Sequence, residues 1–267
     1  MTVYLTVRIH AHRKVFFHIR SLMNPLPYIT TLVCRVKRLQ VDGTTHIPAQ
    51  GAALIATAHD SPLDLFYHLA LLRLAGRRDH RLVVAAEMLE AERFRPFTRD
   101  AIKQDLPRAA LLAGAAAHVG SWLVPRLLRP LNAIPVYRQG DDSASRASSL
   151  ACLLAGGVVT IAPGWGNNSH RGADGQRPLT YGVAAIARRF FEATGEPLAV
   201  VPVGMDKRPD GRRLRTLLRV GAPLRAMSDR EYPALFSADG QRNAAIRRQA
   251  YQHFTQQLAG RLAELSA

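Results

Sequence analysis

The chain has 267 residues, 48% of them hydrophobic, which is enough to bury a sizeable core in one large α/β domain or two small ones. It carries 36 Lys and Arg against 20 Asp and Glu, a formal net charge of +16. Such a charge attracts polyanions, either nucleic acid or an anionic membrane face, although an arginine- and alanine-rich composition also follows from a GC-rich genome.

Several protein classes are excluded at this level. Cys34 and Cys152 are the two cysteines, too few for a disulfide framework or a zinc site, so a reducing compartment is expected. No run of 18 or more apolar residues predicts a membrane span. The beginning of the chain also lacks the pattern of a secretory signal.

The first predicted unit is a basic amphipathic segment, residues 1–40. Through residue 41 the chain carries seven basic residues and no acidic one, interleaved with apolar side chains such as Phe16, Phe17 and Leu32. A helical segment of this kind can lie in a membrane interface, and it can equally pack on the domain that follows. That domain is predicted to span residues 41–267.

Apolar strands and helices alternate along this domain. The predicted strands are residues 52–58, 81–86, 133–136, 158–162 and 198–203, and the predicted helices are residues 62–74, 108–128, 145–155, 180–193 and 246–265. The segment Pro209-Asp210-Gly211 predicts a turn into a hairpin partner at residues 214–220. This alternation predicts an α/β fold, a single domain with a central, mostly parallel or mixed sheet and helices on both faces.

The segment that carries candidate chemistry lies where the first buried strand turns into a helix. It reads Thr-Ala-His-Asp-Ser-Pro-Leu-Asp from residue 57 to residue 64. Ser61 is a good N-cap, and Asp64 would then stand at the third helical position, where a carboxylate can bond the cap's N–H. Alternatively, Asp64 lies within reach of the His59 ring, fixes its tautomer and stabilises the imidazolium. His59 could then remove a proton from a hydroxyl or amine.

This segment resembles the first signature of the glycerolipid acyltransferase family, whose best-known members are the lysophosphatidate acyltransferases. The pattern His-x-x-x-x-Asp is matched by His59 and Asp64. The order and spacing of later segments extend the resemblance over residues 41–224. The strand at residues 133–136, followed by Tyr137 and Arg138, is similar to the family's second block, and residues 200–203 are similar to its fourth.

The third block departs from the family, which usually has Phe-Pro-Glu-Gly-Thr-Arg-Ser. Here the chain reads Ala-Pro-Gly-Trp-Gly-Asn-Asn from residue 162, so that Gly164 is retained while Pro163 replaces the Glu and Gly166 the Arg. The resemblance implies that Arg138 binds an anionic group of the acceptor. Arg171 is a candidate to replace the missing cation. Trp165 suits a flat or apolar group, or else it packs within a tight loop.

The resemblance implies acyl transfer without a metal or other cofactor. The donor would be acyl-carrier protein or acyl-CoA, and the acceptor a lysophospholipid or another lipid-like molecule. The basic segment 1–40 leads us to expect a cytoplasmic location, peripheral at the inner face of an anionic membrane. Backbone N–H groups near Gly164 or Ser61 would stabilise the oxyanion. Two alternatives are a relative acylating a non-phosphate specialised metabolite and a catalytically inactive lipid-binding relative.

Other candidate sites rank lower. His10, His12 and His18 lack a nearby acidic residue and are expected at a surface rather than on a metal. A hydrolase nucleophile at Ser61 lacks the Gly-x-Ser-x-Gly elbow. Three arginine pairs are expected to be solvated rather than to form a nucleic-acid groove, and nucleic acid is not an expected partner. These pairs are Arg77-Arg78, Arg212-Arg213 and Arg247-Arg248.

Overall fold

The structure is a computed structural model that describes residues 6–7, 15–16, 26–36, 38–58, 64–105, 113–137, 142–164, 179–210 and 213–267. The strands are β1 (Thr6–Val7), β2 (Val15–Phe16), β3 (Gln40–Asp42), β4 (Ala53–Thr57), β5 (His80–Ala85), β6 (Ile134–Val136), β7 (Val158–Ile161), β8 (Leu198–Asp210), β9 (Arg213–Val220) and β10 (Leu224–Ala226). The helices are α1 (Leu26–Val36), α2 (Asp64–Leu74), α3 (Ala91–Asp105), α4 (Ala113–Leu128), α5 (Ser143–Leu154), α6 (Gly182–Thr194), α7 (Pro233–Phe236), α8 (Ala238–Arg242) and α9 (Ala244–Ser266).

The chain forms two compact units, residues 1–80 with 150–267 and residues 81–149. In the first unit, strands lie in the order β3-β9-β8-β4-β7, and β10 pairs antiparallel with β8. β4 is parallel to both of its neighbours, β7 and β8, whereas β8 and β9 form an antiparallel hairpin. This is the predicted mixed sheet, and every residue of β4 is buried, as a strand covered on both faces requires.

Helices cover both faces of this sheet, as predicted. Successive strand residues point to opposite faces, and β8 shows a helix on each side. On one face a Cβ added to Gly204 would lie 2.4 Å from the Leu265 Cβ of α9. On the other face Lys207 contacts Asp64 of α2. The α/β class with helices on both faces is therefore confirmed.

The hairpin of β8 and β9 is longer than predicted. The expected strand ends at residue 203, but β8 continues through Pro209 and Asp210, both of which were predicted to lie in the turn. Antiparallel pairing extends from Val203 with Val220 to Asp210 with Arg213. Because β4 pairs with β8 only as far as Val203, the rest of the hairpin projects past the carboxyl end of β4. We call residues 204–219 the hairpin arm.

One arginine is buried, contrary to the expectation that the Arg77-Arg78 pair is solvated. Arg77 is 3% exposed, while Arg78 is exposed. The Arg77 guanidinium donates to both carboxylate oxygens of Asp79 and to the carbonyl oxygens of Pro48, Gly51 and Gly156 at 2.7–3.0 Å. The prediction was wrong because the carbonyl acceptors come from two loops that are distant in sequence, one with Pro48 and Gly51 and one with Gly156. Gly156 follows α5 with a φ of 79°, the left-handed conformation that glycine readily adopts at a helix end.

The second unit contains β5 paired in parallel with β6, and α3 packed on α4. Helix α3, which contains Pro96, is not among the predicted elements. Close packing is possible because Gly120 of α4 faces Phe94 of α3: a Cβ at Gly120 would lie 2.8 Å from the Phe94 ring. Arg95 also donates to the Ser121 hydroxyl at 3.1 Å.

The N-terminal segment is described in part. β1 and β2 pair antiparallel, whereas the segment was expected to be helical, and the expected helix is found as α1. Helix α1 packs against α2 with Thr30 and Cys34 buried, and it exposes Tyr28 and Leu32. Among the described residues, no helix combines the length and apolar character needed to cross a membrane.

Candidate active site

The candidate site lies at the carboxyl end of β4. The Ala58 N–H, one residue past the strand, donates to the Val203 carbonyl at 3.1 Å. His59 follows immediately, but His59 and Ser61 lie outside the described residues. β7 runs parallel beside β4, with Ala56 opposite Ile161, and leads to Pro163 and Gly164 at the same edge. The first and third motifs therefore follow the same ends of adjacent strands.

Asp64 is the first residue of α2 and has no exposed surface. Its Oδ1 lies 3.1 Å from Nζ of Lys207, whose side chain is 28% exposed. Removing a carboxylate from water is costly unless a cation or hydrogen bonds compensate it, and Lys207 supplies a cation. Lys207 is absent from the residues predicted for the site.

A buried layer supports this ion pair. Tyr67, one turn after Asp64, is 2% exposed, and its hydroxyl bonds to Thr216 of β9, the residue opposite Lys207 in the hairpin. Burial raises the pKa of Tyr67, the Asp64 charge adds to this rise, and the Thr216 bond opposes it.

Burial also raises the pKa of Cys34 to about 12. Cys34 is therefore an inert core thiol, as expected for a structural cysteine.

A second histidine, His68, lies next to Thr57 at the carboxyl end of β4. His68 of α2 is 5% exposed, and its Nε2 lies 3.3 Å from the Thr57 hydroxyl. The Thr57 hydroxyl also donates to the Ala58 carbonyl at 2.9 Å. These contacts link α2 to the last residues before His59. His68 is not among the residues predicted for the site, because it has no motif partner at a diagnostic spacing.

The third segment is described only at its beginning. Pro163 is buried, Gly164 is exposed, and Gly164 forms an isolated antiparallel bridge with Leu179. The Thr180 N–H donates to the Pro163 carbonyl at 2.8 Å. The bridge closes the loop between residues 164 and 179 at its base. Trp165 and Arg171 are within that loop and lie outside the described residues.

Arg138 also lies outside the described residues, two positions after β6 in the second unit. Asp64 and Gly164 are thus the two predicted site residues that the structure describes. Within the described ranges, no group of three or more His, Cys, Asp or Glu side chains could hold a metal ion. His10, His12 and His18 fall outside those ranges. The expected absence of a cofactor remains a prediction.

The chain was compared with known proteins. No family model and no curated protein matches it. A search of solved structures finds a likeness to the crystal structure of the 1-acyl-sn-glycerophosphate (LPA) acyltransferase PlsC from Thermotoga maritima. The TM-score is 0.42 at 14% sequence identity, over 93% of this chain and 85% of that one.

Proposed function

We propose that this protein is an acyltransferase that moves a fatty-acyl group from the thioester of acyl-carrier protein or acyl-CoA to a lipid-like acceptor. The observation that carries the proposal is the fully buried Asp64 carboxylate at the start of α2, five residues after His59. A buried carboxylate five residues after a histidine that follows a parallel strand suits general-base catalysis. The order of the later motifs adds support.

In the proposed reaction, His59 takes the proton from the acceptor hydroxyl or amine as that group attacks the thioester carbonyl. Asp64 orients the imidazole and stabilises its protonated form. Backbone N–H groups near Gly164 or Ser61 stabilise the tetrahedral oxyanion. Collapse of this intermediate breaks the carbon–sulfur bond, and the departing thiolate takes the proton from His59. The products are the acylated acceptor and the free thiol.

The acceptor in this proposal is less charged than a phosphomonoester. Such a group is usually held by several convergent donors, with Arg preferred for its planar fork of N–H groups. The third segment has Pro163 and Gly166 in place of the family's Glu and Arg, which leaves Arg138 and Arg171 as candidate cations. Trp165 supplies an aromatic face. A neutral lysophospholipid, or an alcohol or amine of specialised metabolism, fits these residues.

The altered third segment also favours a second candidate, a relative that binds lipids without transferring acyl groups. Thiol release separates the two. Purified protein is incubated with acyl-CoA or acyl-carrier protein, with and without lysophosphatidate, a neutral lysophospholipid or an alkylamine. Acceptor-dependent thiol release and an acylated product support transfer. Co-purified lipid without turnover supports the lipid-binding relative, and preferred acylation of lysophosphatidate would overturn the acceptor assignment.

The proposed location is the cytoplasmic face of an anionic membrane, reached through residues 1–40. Support comes from the seven basic residues of this region and from α1, which exposes Tyr28 (42%), Leu32 (61%) and Arg35 beside its buried face. Amphipathic segments with basic and aromatic residues bind interfaces in this way.

Vesicle co-sedimentation tests this attachment. Binding to phosphatidylglycerol vesicles should weaken as salt screens the charges, and Leu32→Ser should reduce it. Leu154→Ser, which removes an exposed leucine at the end of α5, is the matched control. Full-length protein that ignores anionic vesicles at low salt, or equal loss in the two variants, would contradict the location.

A further inference from the structure

The Lys207 side chain reaches the candidate catalytic carboxylate from a different part of the fold. Asp64 belongs to the first turn of α2, and Lys207 to the hairpin arm, past the point where β8 stops pairing with β4. Their charged atoms lie 3.1 Å apart. The side chain of Lys207 is 28% exposed and that of Asp64 is 0% exposed. Lys207 therefore reaches from a partly exposed position to a carboxylate that is fully buried.

On the face of the hairpin arm that contacts α2, the backbone around Lys207 is held by buried neighbours. Lys207 is paired with Thr216 in the hairpin, and the preceding residues on the same face are Met205 and its partner Leu218. Thr216, Met205 and Leu218 are all at most 5% exposed. The Tyr67 hydroxyl bonds to Thr216, so α2 contacts the hairpin arm beside the ion pair as well as through it.

The opposite face of the hairpin arm is held by the last turn of α9. The Met205 N–H donates to the Ser266 hydroxyl at 3.2 Å, and Arg219 donates to the Leu265 carbonyl at 3.1 Å. The Arg219 contact also satisfies a carbonyl that the end of a helix leaves without a partner. Gly204 leaves room for Leu265 to approach the strand. Lys207 thus projects from a strand that is fixed on both faces.

We propose that Lys207 is a positioning residue that holds the Asp64 carboxylate in the orientation from which it acts on His59. This inference rests on the proposed acyl transfer. A carboxylate has two oxygens with about four acceptor sites, so a contact with Lys207 at Oδ1 is compatible with a hydrogen bond from an imidazole N–H. Lys207 compensates the buried charge and restricts rotation of the carboxylate. It acts through Asp64 and does not itself touch substrate.

Separate measurement of kcat and KM distinguishes this role from others. Lys207→Met should lower kcat by about 10²-fold, the scale expected when a catalytic group is misplaced by about 1 Å, while KM for donor and acceptor stays within about two-fold. Lys207→Arg, which keeps the charge, should recover part of kcat. Arg225→Met, which removes an exposed cation on β10, is the matched control and should leave both constants unchanged.

Two further variants keep the inference testable if Lys207→Met does not fold. If Lys207→Met unfolds because the Asp64 charge is uncompensated, Asp64→Asn combined with Lys207→Met removes both charges. This double variant should fold and be no slower than Asp64→Asn alone, since Lys207 acts through Asp64. A double variant that is much slower than Asp64→Asn would overturn the inference.

Other outcomes separate this inference from the proposed function. Folded Lys207→Met with normal kcat, alongside inactive His59→Ala, would overturn the role of Lys207 and leave acyl transfer standing. A rise in KM with unchanged kcat would assign Lys207 to substrate binding and overturn the positioning role. Absence of wild-type turnover with every donor would overturn the proposed function and this inference with it.

Discussion

Nζ of Lys207 lies 3.1 Å from Oδ1 of Asp64, a carboxylate with no exposed surface. The contact joins the hairpin arm to the first turn of α2. It changes the interpretation of Asp64, because a helix cap needs no ion pair with another part of the fold. Here the carboxylate is inside the fold, and it is connected to a strand far away in sequence.

The role of Asp64 can be tested by Asp64→Asn. If Asp64 orients His59, turnover should fall by about 10²-fold or more, and loss of a charged contact with Lys207 should lower the free energy of unfolding by about 1.5–3 kcal/mol. If Asp64 only caps α2 and pairs with Lys207, stability should fall in the same way, and turnover should be spared. Steady-state kinetics decide between them, with urea unfolding measured on the same preparation. Unchanged turnover would exclude the orienting role.

Arg77 is expected to be among the most sensitive positions for stability. Arg77→Ala should lower the free energy of unfolding by about 3–5 kcal/mol, because it leaves three carbonyls and Asp79 without their shared donor. Arg78→Ala, at the exposed neighbouring position, is the matched control and should change it by less than about 0.5 kcal/mol. Equal effects of the two substitutions in urea unfolding would show that the buried network contributes little.

The Cys34 thiol should be unreactive in the folded protein. Thiolate is the reactive form, and burial raises the pKa of Cys34 to about 12 while leaving 5% of the residue exposed. In a Cys152→Ser background, reaction with Ellman's reagent at pH 8 should be slow without denaturant and fast in urea. Rapid labelling of Cys34 in the native protein would contradict the packing of α1 on α2.

His80 should make stability depend on pH. Burial, with a contribution from Arg73, lowers the pKa of His80 below its ordinary value of about 6.5, while Asp79 and the Arg77 backbone oppose this. The unfolded chain therefore binds a proton first as pH falls, so stability present above about pH 6.5 is lost toward the lower folded pKa. His80→Gln should lose less unfolding free energy than wild type between pH 7.5 and pH 5.5. Equal losses in urea unfolding would argue against a buried neutral imidazole.

Most of the strands and helices around the site could be predicted from the sequence. Apolar runs bounded by glycine or proline identify β4, β7 and α2, because buried parallel strands need continuous apolar stretches. The position of His59 immediately after a strand followed from this. Lys207 was not found because Pro209 and Asp210 were assigned to the turn, which ended β8 at Val203. Continued alternation beyond Val203 would have placed Lys207 on the face of Val201, toward α2.

The remaining misses depend on contacts between distant segments. Arg77 has the sequence context of a solvated residue, and its burial depends on carbonyls at Pro48, Gly51 and Gly156 that no local pattern reveals. The link between His68 and Thr57 likewise requires the packing of α2 on the end of β4. Such contacts are set by tertiary structure, on which local propensity and periodicity carry no information.

The central claim is acyl transfer with His59 as the general base, and single-residue replacement at that position tests it most directly. Acceptor-dependent release of thiol from acyl-CoA or acyl-carrier protein should be measured for wild type, His59→Ala and, as a matched control, His118→Ala at an exposed position on α4. Wild type and His118→Ala should turn over equally, and His59→Ala should be slower by about 10²–10⁴-fold with an unchanged melting temperature. Near-normal turnover by folded His59→Ala would contradict the account.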